Sequence, residues 1–297
     1  MEQSPFYHYN SVFDAQQLIH KYARPHVTAH PSYATNFIGL KLKGDYMPEC
    51  VRHNVGSVEP APIPANWHAD IAEFGAVLRA IDIHQGGEFV MGELGCGWGC
   101  WIGIAGLAAK ARGLTVKLFG VEGDAKHVNW AEESMLANGF SRREFTIVKA
   151  VASQQEGHAL FPVSIAGTVH YGLEPIFNAS EIRVKQATRE GTHRVIPMQS
   201  LAKIFRSEER IDLLHIDIQG SESDLVERSL QFLTESVAYL AIGTHSRVIE
   251  GKLIQLLGSS SAWSLEIERP AIFSIGEQGA LCTVVDGVQG WRNQRLN

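Results

Sequence analysis

The sequence predicts an α/β fold: a doubly wound, mostly parallel sheet with an antiparallel C-terminal strand, preceded by a helical and irregular N-terminal appendage. Three observations carry that prediction. From Glu88 onward, short apolar runs alternate with segments of helical periodicity, the pattern of a parallel sheet covered on both faces. Ile211–Ile218 is almost continuously apolar, as a strand buried on both faces should be, and is expected at the centre. Residues 1–87 hold seven of the thirteen histidines, no run of β-branched residues, and several prolines between Pro48 and Pro64 that forbid long regular elements there.

In chain order, Asp14–Tyr22 reads as a helix, and so does Trp67–Ile81, where Ile71, Phe74, Val77, Leu78 and Ile81 recur at helical spacing. Phe89–Leu94 reads as a strand ended by the glycines at 95, 97 and 99. Trp101–Arg112 follows as a helix whose Gly103, Ala105, Gly106 and Ala108 let it lie close to the sheet. Val116–Glu122 is the second strand, and Ala125–Asn138 a helix stopped by Asn138-Gly139. Phe145–Ala152 is the third strand and Ala159–Ile165 an extra hairpin arm, while Gly167–Gly191 shows no regular pattern and reads as a loop over the site. Ser221-Glu222-Ser223-Asp224 offers helix-start chemistry ahead of the stripe Leu225, Val226, Ser229, Leu230 and Leu233. Val237–Thr244 is another strand, with a helix after it that Gly258 terminates. Trp263–Glu268 and Leu281–Asp286 close the chain as two strands with no helix-sized crossover between them, so they pair more easily antiparallel. The expected division is a cover over 1–87 and a sheet domain over 88–297.

Composition narrows the function. With 26 Lys plus Arg against 32 Asp plus Glu, a formal charge of −6, and no dense basic stripe, the chain lacks the electrostatic footprint of a nucleic-acid binder. The longest apolar and glycine run, Trp101–Ala109, falls far short of the ~20 residues of a membrane span. The first residues show neither a basic nor an apolar leader segment, and the four cysteines complete no zinc knuckle, so free thiols in the cytoplasm are expected.

The informative segment is Glu93-Leu94-Gly95-Cys96-Gly97-Trp98-Gly99, where a strand gives way to a helix. Glycines at alternate positions let backbone N–H groups approach a ligand, and the helix N-terminus favours an anionic group. The dinucleotide fingerprint does not fit: its third glycine would fall on Cys100 or on Ile102, which weakens a nicotinamide dehydrogenase. Glu122, in Gly120-Val121-Glu122-Gly123-Asp124 at the end of the next strand, stands where an acid can accept hydrogen bonds from both hydroxyls of a ribose. Together the two elements suggest a nucleoside bearing a carboxylate. Each alone also reads as something plainer, a tight turn and an exposed strand-end acid.

These residues resemble the first and the ribose-binding motifs of S-adenosylmethionine-dependent methyltransferases. Ile211-Asp212-Leu213-Leu214-His215-Ile216-Asp217-Ile218-Gln219-Gly220-Ser221-Glu222 is similar to the "DLLKIDVEGAE" block of the FkbM family, departing from it at His215 and Gln219. The resemblance covers roughly residues 88–290 and implies a Rossmann-like fold with S-adenosylmethionine as cofactor. Position by position, it implies Gly95, Cys96, Gly97 and Gly99 around the methionine part and Glu93 at the ammonium. It further implies Glu122, with Gly123 and Asp124, at the ribose, and Ala150 and Val151 at the adenine. Trp98 either covers the sulfonium or packs the turn against the N-terminal region.

For the acceptor, the resemblance favours a hydroxyl of a small molecule, a sugar, lipid-linked or secondary-metabolite compound. Asp217 and His245 fall at the carboxyl ends of neighbouring strands; His245 is expected to be the general base and Asp217 to orient it, or to touch cofactor or acceptor. The plainer alternatives are a structural acid and a helix cap. Magnesium could join these two with Glu222, as in some sugar methyltransferases, but one firm carboxylate beside a histidine is a poor hard-cation site, and no metal is expected. His26 and His30 have ligand spacing spoiled by Pro31, and His170-Tyr171 reads as an exposed loop tip. The opposing hypothesis is a scaffold that binds the same nucleoside without transfer. A small-molecule substrate is the expected partner, and self-association is left open.

Overall fold

The computed structural model describes residues 8–163 and 171–296. Its main sheet has eight strands. Five run parallel: β4 (Glu88–Leu94), β5 (Thr115–Glu122), β6 (Phe145–Lys149), β10 (Leu213–Ile216) and β11 (Tyr239–Thr244). Beyond β11 lie β15 (Gly287–Asn293), β12 (Trp263–Arg269) and the short edge strand β1 (Asn10–Ser11), each antiparallel to its neighbour. The spatial order β1-β12-β15-β11-β10-β4-β5-β6 makes this a Rossmann-like fold. From β4 the chain steps outward to β5 and β6, then returns to the other side of β4 to lay down β10 and β11. That reversal opens a crevice beyond the carboxyl ends of β4 and β10, where open α/β sheets take their ligands.

Helices α3 (Cys100–Ala111), α4 (Ala125–Ala137), α7 (Glu222–Ser236) and α8 (Arg247–Gly258) connect the strands. The predicted start of α4 is built by its cap, Asp124, which accepts hydrogen bonds from Lys126 N and His127 N; α8 starts likewise at Ser246, whose hydroxyl accepts from Ile249 N, whereas Ser221 precedes α7 without a side-chain cap. Besides the edge strand β1, the N-terminal residues form α1 (Ala15–Tyr22), the hairpin β2 (Tyr33–Thr35) and β3 (Lys41–Lys43), and α2 (Ile71–Ile83). They share one apolar core with the rest of the chain, in which Leu18, Leu40, Phe74 and Leu78 lie with Trp101, Ile104 and Met91. Each fully buried large side chain there contributes roughly 1.5–3 kcal/mol. Asp70 caps α2 with one carboxylate oxygen, accepting from Ala72 N and Glu73 N, and pairs with Arg269 of β12 through the other.

Three expectations need correction. The partner of β12 is Gly287–Asn293, not Leu281–Asp286; Leu281–Val285 is β14, which pairs with β13 (Ile272–Ile275) in a largely exposed hairpin. The two glycines of β15 disguise it, although they are what lets it pack: a Cβ on Gly290 would stand 2.6 Å from Ile267 and 2.8 Å from the Tyr239 hydroxyl. The third strand ends at Lys149, and β7 (Val151–Ala152) belongs to a separate sheet with β9 (His193–Gln199) and β8 (Gly157–Pro162). Within the stretch read as a loop lies α5 (Glu181–Arg189), which buries only Ala187 and so shows no apolar stripe. The one-turn α6 (Leu201–Ile204) follows β9. Ile165 and His170 lie outside the described residues. The four cysteines are unpaired, and among the described residues no helix is long and apolar enough to cross a membrane.

Candidate active site

A cavity of about 490 Å³ occupies the crevice, within the range of small-molecule sites. Its β4 side is the glycine elbow, with Gly95, Cys96, Gly97 and Trp98 on the wall. Gly95 has φ +78°, and a Cβ there would lie 1.9 Å from the Asp217 carbonyl oxygen; no other residue fits where β4 and β10 converge. Gly97, at φ +51°, faces the ring of Tyr171. Gly99 does not line the cavity; it is the left-handed N-cap of α3.

Two buried carboxylates tie the elbow together. Glu93 accepts from Trp101 N at 3.2 Å and Ile102 N at 2.9 Å. The α3 N-terminus, expected to await a ligand anion, is therefore filled by the chain's own acid. Glu122 accepts from Gly97 N at 2.9 Å and Asp124 N at 2.7 Å, which places elbow and acid in direct contact on one wall. Burial pushes both carboxyls up to about 7, against the opposing pull of these N–H groups. Gly123, Ala150 and Val151 line the cavity beyond them, whereas Asp124 does not and serves as the cap of α4.

Trp98 packs between His68, at 5.7 Å between rings, and Tyr46, stacked at 6.2 Å, so it joins the elbow to the appendage while facing the cavity. Tyr171 also lines the cavity. Its ring stacks on His127 at 5.0 Å and its hydroxyl donates to the Tyr46 carbonyl.

The adjoining wall is built from the ends of β10 and β11. Asp217 and His245 both line it. His245 Nε2 lies 3.3 Å from Asp217 Oδ1, and its Nδ1 lies 3.0 Å from Glu222 Oε1. Burial by itself would lower the imidazole, but these two carboxylates outweigh it and push the ring up to about 10. In this arrangement His245 holds a proton at neutral pH and is not the free base expected from the sequence. Asp217, closely surrounded yet 37% exposed toward the cavity, is held below the usual carboxylate range: its burial is outweighed by His245, His215 and a hydrogen bond from Gln219 Nε2.

Residues the sequence reading passed over complete the floor. Glu73 of α2 stands 3.1 Å from Nε2 of the buried His215; burial works against the ring's charge, but Glu73 prevails and raises it. His68 faces Cys100 and is driven down to about 4 by burial, so it is neutral. Nothing in the spacing of α2 marks Glu73 as anything but a surface acid; only its unlike neighbour, His215 in an otherwise apolar strand, hints at a buried partner.

The chain is 40% identical over 269 residues to a protein from Jannaschia sp. (strain CCS1) that carries the name methyltransferase, covering 91% of this chain and 95% of that one. The chain belongs to this methyltransferase family. No protein-family model matches it. Among solved structures, methyltransferase FkbM from Methylobacillus flagellatus KT matches at a TM-score of 0.43 and 11% identity, over 74% of this chain and 54% of that one. Precorrin-6y C5,15-methyltransferase from Geobacter metallireducens GS-15 matches at a TM-score of 0.39 and 9% identity, over 73% and 86%. Likenesses this distant carry no argument about the substrate.

Proposed function

We propose that the chain is an FkbM-like enzyme that moves a methyl group from S-adenosylmethionine to a hydroxyl of a small molecule. The observation that carries this reading is the meeting, in one cavity at the sheet's reversal point, of the Gly95–Glu122 wall with the Asp217–His245 wall. The residues fit the cofactor. The elbow leaves room that a Cβ at Gly95 would close, and Glu122 keeps acceptor capacity beyond its backbone N–H partners Gly97, Gly123 and Asp124 for a ribose hydroxyl. Ala150 and Val151 lie beside Glu122 for the base, and Trp98 presents an aromatic wall.

When bound, the cofactor supplies a methyl carbon on a sulfonium: a lone pair of the hydroxyl oxygen forms the O–C bond as the C–S bond breaks, leaving a neutral thioether. The chain's own work is to hold the hydroxyl in line and accept its proton. Asp217, the carboxylate of this wall that is open to the cavity, accepts that proton, with His245 beside it holding its orientation.

The test is labelled methyl transfer to a panel of alcohols, alongside melting curves with the demethylated cofactor. Saturation at about 100 times the dissociation constant should add about 2.7 kcal/mol, a rise in Tm of roughly 5–10 °C. Transfer that vanishes in Asp217→Asn supports the reading. A melting shift without transfer to any alcohol or amine identifies a binding scaffold, and transfer to amines alone overturns the hydroxyl.

A further inference from the structure

We propose that Arg269 selects the methyl acceptor by binding a carboxylate that the acceptor carries several bonds away from its hydroxyl. The proposal rests on the reading of the chain as a hydroxyl methyltransferase and narrows the acceptor to a hydroxy acid.

Arg269 ends β12, and its side chain, only 6% exposed, lines the cavity. Its Nε pairs with Asp70 Oδ2, whereas Nη1 is buried and, among the described residues, has no hydrogen-bond partner. A donor stripped of water in this way is costly unless something engages it. Asp70 has little left to offer, because its Oδ1 already accepts from Ala72 N and Glu73 N.

The register of the sheet aligns this arginine with the reacting centre. Arg269 lies opposite Val288, and Val288 opposite Gly243; the pairing of Ile242 with Ile216 then sets Gly243 level with Asp217. Residues opposite one another in a sheet present their side chains to the same face. Asp217 leans along that line: its carboxyl carbon is 3.5 Å from where a Cβ of Gly243 would stand. All four residues line the cavity, so a trough floored by a glycine and a valine runs from Asp217 to Arg269.

The trough sets the length of its guest. β12 is three places from β10 in the sheet, about 14 Å between strand axes, and the two side chains shorten that span from either end. A hydroxyl at Asp217 and an anionic group at Arg269 therefore belong to one elongated molecule, not to an α-hydroxy acid. The planar guanidinium fork matches a carboxylate. With Asp70 beside it, the arginine has charge for a monoanion but not for a phosphate dianion. Asp286 also lines the cavity, and its burial favours the neutral carboxyl, which lessens its opposition to an incoming anion.

Calorimetric titration of the full-length protein, with and without the demethylated cofactor, tests this with ω-hydroxy acids of increasing length, each beside its carboxamide and its phosphate analogue. An acid that binds at least about tenfold more tightly than its carboxamide is expected, with affinity falling about 10-fold in Arg269→Lys, which keeps the charge and loses the fork. The double variant Asp70→Asn, Arg269→Gln removes both charges while asparagine still caps α2, and should weaken the acid by about 100-fold with cofactor affinity unchanged. For an acid that is turned over, KM should rise in both variants while kcat holds. No saturation by any acid up to about 10 mM, equal binding of acid and carboxamide, tighter binding of the phosphate, or unaltered affinity in both variants overturns the proposal. Cofactor binding without acid binding rejects the carboxylate site and leaves the methyltransferase reading standing. Acid binding without cofactor binding rejects that reading, and the role of Arg269 toward an acceptor with it.

Discussion

The two walls of the cavity are built on opposite principles. On the β4–β5 side, Glu93 and Glu122 are bonded by backbone N–H groups of residues 97, 101, 102 and 124, all within one strand-turn-helix-strand unit. On the β10–β11 side, Asp217, Glu222 and His245 face one another as side chains from two strand ends and a helix start, with Glu222 alone also held by backbone N–H groups, those of Ile218 and Gly220. A wall fixed by backbone geometry is rigid and tolerates little change.

The sharpest way to break this contrast is Gly95→Ala. The new Cβ meets the Asp217 carbonyl oxygen at 1.9 Å, and the residue must hold φ +78°. The strained backbone alone costs about 1–3 kcal/mol, and relieving the overlap must part β4 from β10. Urea denaturation should show a loss of about 3 kcal/mol or more, with cofactor binding abolished. Gly97→Ala meets only the side chain of Tyr171, at 3.2 Å, and should cost clearly less. Equal stabilities for the two variants would mean that the elbow is not pinned by the neighbouring strand.

The same contrast decides what the sequence made legible. The β4 wall could be read because each of its parts is local: alternate glycines after an apolar run, an acid at the next strand end, and Asp124 opening a helix. The adjoining wall was half legible. Asp217 and His245 stand out at strand ends, but their relation to Glu222 depends on a left-handed Gln219, a conformation no residue type announces. Glu73 reaches the floor through tertiary packing of the appendage, and β15 was missed because its glycines lower its strand propensity while serving its packing. The fold was thus clear wherever hydrophobic periodicity ruled, and obscure wherever a close approach of backbones replaced it.

A second, smaller effect probes the protonation of the rigid wall. Burial holds Glu122 at about 7 in the folded chain, against 4.5 as the ordinary value, so the folded state binds this proton more tightly than the unfolded state. The stabilisation is fully present below pH about 4.5 and is lost as pH rises through about 7. Cofactor affinity should move the other way, strengthening as the carboxylate ionises and accepts a ribose hydroxyl. Glu122→Gln should flatten the affinity curve, remove Glu122's share of the stability change while leaving that of Glu93 over the same pH range, and weaken binding by about 10²-fold, since each charge-assisted bond contributes about 1.5–3 kcal/mol. Calorimetric titration from pH 6 to pH 8 reads the effect; an undiminished pH dependence in the variant would move the ribose contact to another acid, with Glu93 the first alternative.

The smallest expected effect tests whether the rigid wall extends to the appendage. Tyr171 spans the two: its ring lies over Gly97 and stacks on His127, and its hydroxyl donates to the carbonyl of Tyr46. Tyr171→Phe removes one hydrogen bond and keeps the ring, a loss of about 0.5–1.5 kcal/mol. Tyr171→Ala removes the aromatic wall as well and should cost about 0.5–1.5 kcal/mol more through the lost stack. If Tyr171 closes the cavity over a bound nucleoside, stopped-flow release of the demethylated cofactor should quicken by several-fold in the first variant and by more in the second, with association barely changed. Were both variants to release it at the parent rate, the contact would be mere packing, and the rigid wall would end at Gly97.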